Sequence, residues 1–237
     1  MHEPAPVALF GAAGRMGREI QHQAWRHDEL LLAHGYDVVH VGEVAETLLI
    51  ESPPAALPRD IKMVLDFSAA SAVLQNLELA LNAGVPYLCG VTGLPHETLN
   101  ELRATANEIP ILHSPNMSAG MNVMIRLAAA AARALPGYER HIFEVHHAAK
   151  KDSPSGTALH LSDAVREAAG EDTPITALRM GDVADEHRIV FGGPGERLEI
   201  IHRADSRAVF AVGALRAASW LLKKSPGFYK MSDVLEV

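Results

Sequence analysis

Short apolar runs alternate with longer amphipathic stretches through the first half of the chain. The run "VALFG" (residues 7–11) ends in glycine, the pattern of a buried parallel strand. "RMGREIQHQAWRH" follows with helical character, and "LLLAHGYD" predicts a second strand ending at Asp37. Residues 38–60 carry no clear period, and the prolines of "SPPAALPRD" mark a loop. "MVLDFS" predicts a third strand, and "SAVLQNLELALNAG" an amphipathic helix closed by Gly84. Strand "PYLCGV", helix "HETLNELRATANE", strand "PILHSP" and a long helix "AGMNVMIRLAAAAARAL" complete the series. Strand and helix alternating at this spacing predict a doubly wound parallel sheet with helices on both faces, a Rossmann-type α/β layout.

The pattern changes after Pro136. "RHIFEVHH" reads as a strand, a helix is expected from about Ser155 to Ala169, and "HRIVFGG" and "RLEIIHRA" flank a Gly/Pro turn as a hairpin would. "SRAVFAVGALRAASWLLKK" is a last helix, with Asp205 or Ser206 as its cap. The expected division is a dinucleotide-binding domain over residues 1–117, rejoined by about 208–237. A second, smaller α+β domain for substrate binding and oligomerisation spans 118–207.

Composition narrows the partners. Of 237 residues, 48% are hydrophobic, enough for a substantial core, and the net charge of −8 comes without a dense Lys/Arg run. Nucleic acid and anionic membrane are therefore poor partners. The single cysteine, Cys89, excludes an intrachain disulfide framework and a cysteine-based zinc site. No apolar run is long enough to span a membrane, and no secretory leader pattern is visible, so a soluble cytoplasmic protein is expected.

The first strand-to-helix turn, "GAAGRMG", places Gly11, Gly14 and Gly17 where a dinucleotide's pyrophosphate would lie. Glycine permits the tight turn, the close approach of backbone N–H groups to phosphate, and close helix–sheet packing. The spacing is G-x-x-G-x-x-G rather than the more usual G-x-G-x-x-G. Asp37 lies about 20 residues further on, where a carboxylate would accept from the adenosine ribose. The "VVHVG" that follows has no Lys or Arg to meet a 2′-phosphate, so NADH is expected in preference to NADPH. The turn "CGVTG" offers Gly90, Val91 and Thr92 to the nicotinamide ribose, and "HSPNMSAG" offers Asn116 and Met117 to the nicotinamide itself.

In "EVHHAAKKDSPSGTA", strand alternation puts His146 on one face with Glu144 and Ile142, and His147 on the other. The loop then carries Lys150 and Lys151, and Ser155 is a credible N-cap. Gly156 and Thr157 fall in the first helical turn, where free N–H groups and a nearby lysine can hold a carboxylate. Imidazole, ammonium and oxyanion cradle together suit proton transfer to an anionic substrate. A metal is not expected: His146 and His147 diverge, and no H-E-x-x-H spacing occurs. No G-x-S-x-G element supports a serine hydrolase.

"GAAGRMG", "DFS", "GVTG", "PNMSAGMNV", "EVHHAAKKDSPSGTA" and "GERLEIIHRADSRAVFAVGALRAASWL" occur in this order over nearly the whole chain. Together they closely resemble the 4-hydroxy-tetrahydrodipicolinate reductase (dihydrodipicolinate reductase) family of lysine and diaminopimelate synthesis. The resemblance implies an NAD(P)H-dependent reductase acting on a small cyclic dicarboxylate, working as a homo-oligomer. It implies His146 as proton donor/acceptor and Lys150 as proton donor, with His147, Gly156 and Thr157 at the substrate and Ser155 in the same element. It also implies cofactor contacts at Gly11, Ala12, Ala13, Gly14, Arg15, Met16, Asp37, Gly90, Val91, Thr92, Ser114, Pro115, Asn116 and Met117. Val38 stands where many members carry an arginine, which agrees with NADH. The segment between "ALRMGD" and "VADEHRIVF" is short for the family, which makes a dimer plausible beside the common tetramer. Two other readings are a related NAD-dependent dehydrogenase of another amino or imino acid, against which the H-H-x-x-K and S-G-T elements argue, and a non-catalytic nucleotide sensor, which leaves the polar cluster unexplained.

Overall fold

The computed structural model describes residues 3–236, and they form two compact units. One runs through Met117 and resumes over Ala208–Glu236; the other is Ser118–Arg207.

The first unit begins β1 (Ala5–Phe10), α1 (Arg15–Ala24), β2 (Leu30–Tyr36), β3 (Val44–Ala45) and β4 (Leu48–Glu51). It continues β5 (Met63–Asp66), a 3-10 turn (Ala70–Ala72), α2 (Val73–Ala83), β6 (Tyr87–Cys89), α3 (His96–Thr105) and β7 (Pro110–His113). The second unit contains α4 (Ala119–Ala134), β8 (Glu139–His146), α5 (Gly156–Ala169), β9 (Ile175–Arg179), β10 (Asp185–Gly193) and β11 (Glu196–Ala204). The chain then supplies α6 (Ala208–Leu221), β12 (Gly227–Tyr229) and α7 (Met231–Leu235) to the first unit.

The first sheet has the order β12-β7-β6-β5-β1-β2-β4-β3. All its pairings are parallel except β3 with β4, so an antiparallel edge modifies the wholly parallel sheet expected. Residues 38–60, without a period in the sequence, contain those two short strands. β1 is buried on both faces. Val7 and Leu9 pack into a core with Ile20 of α1 and Leu215 and Leu221 of α6, while Ala8 and Phe10 face Leu77 of α2 and Leu102 of α3. Each large side chain so buried contributes roughly 1.5–3 kcal/mol, which is why this strand reads as an unbroken apolar run. Gly84 closes α2 in the left-handed conformation, as its sequence position predicts.

The second sheet has the order β11-β10-β8-β9, with β8 and β9 parallel and the other pairs antiparallel. Strand β9 has no counterpart in the sequence reading, nor do β12 and α7. β10 and β11 form the expected hairpin, pairing Gly193 with Glu196 across Pro194 and Gly195. One face of this sheet packs Ile142, Ile189 and Phe191 against Met121, Met124 and Ala128 of α4 and Ala158, Leu161 and Val165 of α5. Among the described residues, no helix is long and apolar enough to cross a membrane.

Candidate active site

Parallel pairing puts the carboxyl ends of the first-unit strands in one row. Tyr36, Phe10, Asp66, Cys89 and His113 are register partners in succession across β2, β1, β5, β6 and β7. Asp37, Gly11, Gly90 and Ser114 therefore leave the sheet from the same edge, with β1 at the point where strand order reverses. That edge is where ligands bind in open α/β sheets.

At the head of the row Gly11 has φ +76, and a Cβ there would collide with the Phe67 carbonyl. A Cβ at Gly17 would collide with the Gly11 carbonyl, so the two glycines let α1 start against the strand end. Gly11, Ala12 and Ala13 are buried; Gly14 and Arg15 are exposed and Met16 is half-buried. Gly14 caps α1 with no side-chain hydrogen bond, which leaves the first-turn amides available to an anion. Asp37 accepts from the Ala13 amide at 3.1 Å and from the Val38 and Val39 amides at 2.8 and 3.2 Å. Its carboxylate is thus fixed beside the turn. An ionised carboxylate has about four acceptor positions, so it can still receive a ribose hydroxyl.

The other two turns are tied to one another. The Ser114 amide donates to the Cys89 carbonyl at 3.1 Å, and His113 Nε2 lies 3.2 Å from the Val91 carbonyl oxygen. Ser114 Oγ donates to the Asn116 carbonyl at 2.7 Å, holding the 114–117 turn closed. Thr92 is exposed, Gly90 and Pro115 are half-buried, and Val91, Asn116 and Met117 are buried. This unit also holds a buried group that the sequence reading missed. Asp66 accepts from the Ser68 amide and hydroxyl, from Asn76 Nδ2 and from the Tyr87 hydroxyl, bracing the end of β5. These glycine clearances, uncapped amides and the oriented Asp37 fit a dinucleotide.

In the second unit, alternation decides the chemistry. The face of β8 and β10 that packs Ile142 and Ile189 under the helices turns polar at one end, where Glu144 and His146 continue β8 and His187 and Asp185 continue β10. Glu144 pairs with His187 in register, and His187 with His202 of β11. Glu144 is fully buried and receives Arg179 Nη1 and Nη2, each at 2.9 Å, the Ser155 amide at 3.1 Å, and Nδ1 of His146. Burial alone would raise its carboxyl pKa. The bonds from Arg179, His146 and Ser155 overcome that and hold it below its ordinary value. An ionised Glu144 only accepts, so the proton of this bond belongs to Nδ1, and Nε2 is the nitrogen left to exchange a proton.

Asp185 is also buried, yet its carboxyl lies far below the ordinary range. Burial opposes ionisation, and the nearby His146, His187 and His202 outweigh it. His187 Nδ1 is 2.8 Å from Asp185, and its Nε2 is 3.2 Å from Ser155 Oγ. Ser155 caps α5, its hydroxyl accepting from the Ala158 amide at 3.2 Å. The cap foreseen in the sequence therefore also anchors the histidine cluster. Arg179, Asp185, His187 and His202 were not foreseen. "HRIVFGG" and "RLEIIHRA" read with period two would have put both histidines on the inner face.

His147 follows the last residue of β8 and is half-buried. Lys150 pairs with Asp152 at 2.8 Å. Burial raises the Asp152 carboxyl pKa, but Lys150 and the amides of Asp152 and Gly156 hold it below its usual value. The lysine and the start of α5 (Gly156 exposed, Thr157 half-buried) thus converge on one carboxylate, that of Asp152.

Taken separately, one unit has glycine clearances and amides that fit a dinucleotide, and the other gathers buried histidines around ionised carboxylates. They define an oxidoreductase of the nicotinamide-nucleotide class. The dihydrodipicolinate reductase N-terminal family model matches residues 5–117 and the C-terminal model residues 120–235. The chain belongs to the dihydrodipicolinate reductase family. It is 37% identical to the 4-hydroxy-tetrahydrodipicolinate reductase of Archaeoglobus fulgidus, over 97% of this chain and 99% of that one. It is 38% identical to the enzyme of that name from Zymomonas mobilis, over 97% and 96%. A dipicolinate-bound dihydrodipicolinate reductase from Paenisporosarcina sp. TG-14 shares the fold at TM-score 0.76 with 22% identity, covering 96% of this chain and 97% of that one.

Proposed function

We propose that this chain reduces 4-hydroxy-tetrahydrodipicolinate to tetrahydrodipicolinate with loss of water, in the cytoplasm, with NADH preferred over NADPH. The observation that carries the reading is the Glu144–His146 pair beside the Ser155-capped helix: an oriented proton carrier next to amides that can bind a carboxylate. When bound, the nicotinamide supplies hydride to the substrate ring.

The chain's own residues do the rest. Lys150 and the Gly156 and Thr157 amides hold a substrate carboxylate, with His147 beside them. Glu144 fixes the His146 ring through Nδ1, so that Nε2 can move a proton as the hydroxyl leaves as water and the imine is reduced. Lys150 is a second proton donor. The amides of Arg15 and Met16 receive pyrophosphate, Asp37 the adenosine ribose, and the turns 90–92 and 114–117 the nicotinamide half. A 2′-phosphate would bring up to about two negative charges next to Asp37, with no Lys or Arg in residues 38–42 to meet them. Leu178 and Ile201 expose apolar surface on the outer face of the second sheet, which supports a homo-oligomer, dimer or tetramer.

The test is NADH oxidation with freshly made substrate, run also with NADPH and with pyruvate, oxaloacetate and ammonia as controls. His146→Ala and Lys150→Met each lower turnover by roughly 10² and leave NADH binding intact. Near-wild-type turnover in both variants would sink the assignment, and equal efficiency with the two cofactors would sink the NADH preference.

A further inference from the structure

Three histidines of the second unit converge on one carboxylate. His187 Nδ1 lies 2.8 Å from Asp185 Oδ1, His146 Nε2 lies 3.7 Å from Oδ2, and His202 Nδ1 lies 3.7 Å from Oδ1. The other nitrogen of each ring is already held. Glu144 takes His146 Nδ1, Ser155 Oγ is 3.2 Å from His187 Nε2, and Ser118 Oγ is 3.1 Å from His202 Nε2. Every ring is therefore fixed from behind with its second nitrogen turned toward Asp185. Metal-binding histidines are supported in this way, the outer partner setting the tautomer and the orientation of the ring.

Two observations separate this arrangement from an ordinary hydrogen-bonded cluster. His202 Nδ1 is buried and has no hydrogen-bond partner among the described residues. The separations of 3.7 Å are too long for hydrogen bonds. The His146–Asp185 separation is close to the roughly 3.4 Å between neighbouring ligands on a tetrahedral cation with bonds of about 2.0–2.1 Å. Donor atoms of His146, Asp185 and His187 all lie within 4.8 Å of one another.

We propose that His146, Asp185 and His187 form a binding site for one zinc-class divalent cation, and that its occupancy inhibits the enzyme. Two imidazoles and one carboxylate, with a water completing the tetrahedron, suit zinc, cobalt or nickel rather than magnesium or calcium. A cation on His146 Nε2 occupies the lone pair needed for proton exchange, so metal binding and turnover exclude one another. The inhibitory half of the proposal rests on the reductase reading; the binding half does not.

Cobalt absorption tests binding without turnover. The full chain, stripped with EDTA, is titrated with cobalt chloride and then zinc chloride. An intense tetrahedral visible band saturating at one cobalt per chain and displaced by zinc is expected. His187→Ala and Asp185→Asn, each checked for native circular dichroism, weaken cobalt binding by more than ~10-fold. His22→Ala, at an exposed histidine paired with Glu46 in the first unit, leaves it unchanged. No tetrahedral band in the unmodified chain, or a band undiminished in both cluster variants, overturns the site. In the assay, zinc halts NADH oxidation and EDTA restores it; undiminished turnover at saturating zinc overturns inhibition while leaving the cobalt result to judge the site.

Discussion

Glu144 accepts from Nδ1 of His146, two residues further along the same strand and on the same face. The strand's period of two makes this pairing possible, and Arg179 from the neighbouring strand β9 keeps the carboxylate charged. Glu144→Gln keeps the shape and removes the charge. It leaves Arg179 without its counter-ion and lets the His146 ring turn. The expected cost is about 3 kcal/mol of stability, by urea denaturation, with turnover down by roughly 10² and NADH affinity unchanged by fluorescence titration.

Acid should unfold the second unit through the same groups. The folded-state pKa values of Glu144 and Asp185 lie below their ordinary values of 4.5 and 3.8. Their contribution to stability is complete above those ordinary values and is lost as pH falls below them toward the folded-state pKa values. Urea midpoints of wild type should therefore fall from pH 6 to pH 3, and those of Asp185→Asn less steeply. Parallel slopes in the two proteins would contradict the linkage.

Asp152 occupies the position proposed for a substrate carboxylate, between Lys150 and the Gly156 amide. Substrate must displace it. Because the pair is partly exposed, its worth is at most about 1 kcal/mol. Asp152→Asn is therefore expected to lower KM for the substrate by up to ~5-fold, with the KM for NADH unmoved. A raised substrate KM would show that Asp152 supports the site rather than competing for it.

Gly17 is held against the Gly11 carbonyl. Gly17→Ala pushes α1 away from the end of β1, which is expected to cost about 1–3 kcal/mol in thermal or urea denaturation and to weaken NADH binding. Gly14→Ala, where a Cβ would meet only the Gly11 carbonyl at 3.2 Å, should disturb stability less.

The sequence determined much of this protein by itself. The doubly buried strand at residues 7–10, the glycine turn, the Gly84 cap, the Ser155 cap and the shared face of Glu144 and His146 all follow from local rules. Backbone sterics, helix capping and strand alternation act over a few residues, so their signatures are legible in a short window. Strands β3, β4, β9 and β12 were not legible. They are two to five residues long and hold their place only by pairing with distant partners. The same limit hid Arg179, Asp185, His187 and His202. Each is an ordinary polar residue in its own segment, and only the register of four strands brings them to His146. Sequence spacing around adjacent His146 and His147 argued against a metal. The tertiary structure gathers histidines from β8, β10 and β11 around Asp185, because paired strands place residues about 5 Å apart that the chain separates by dozens of positions.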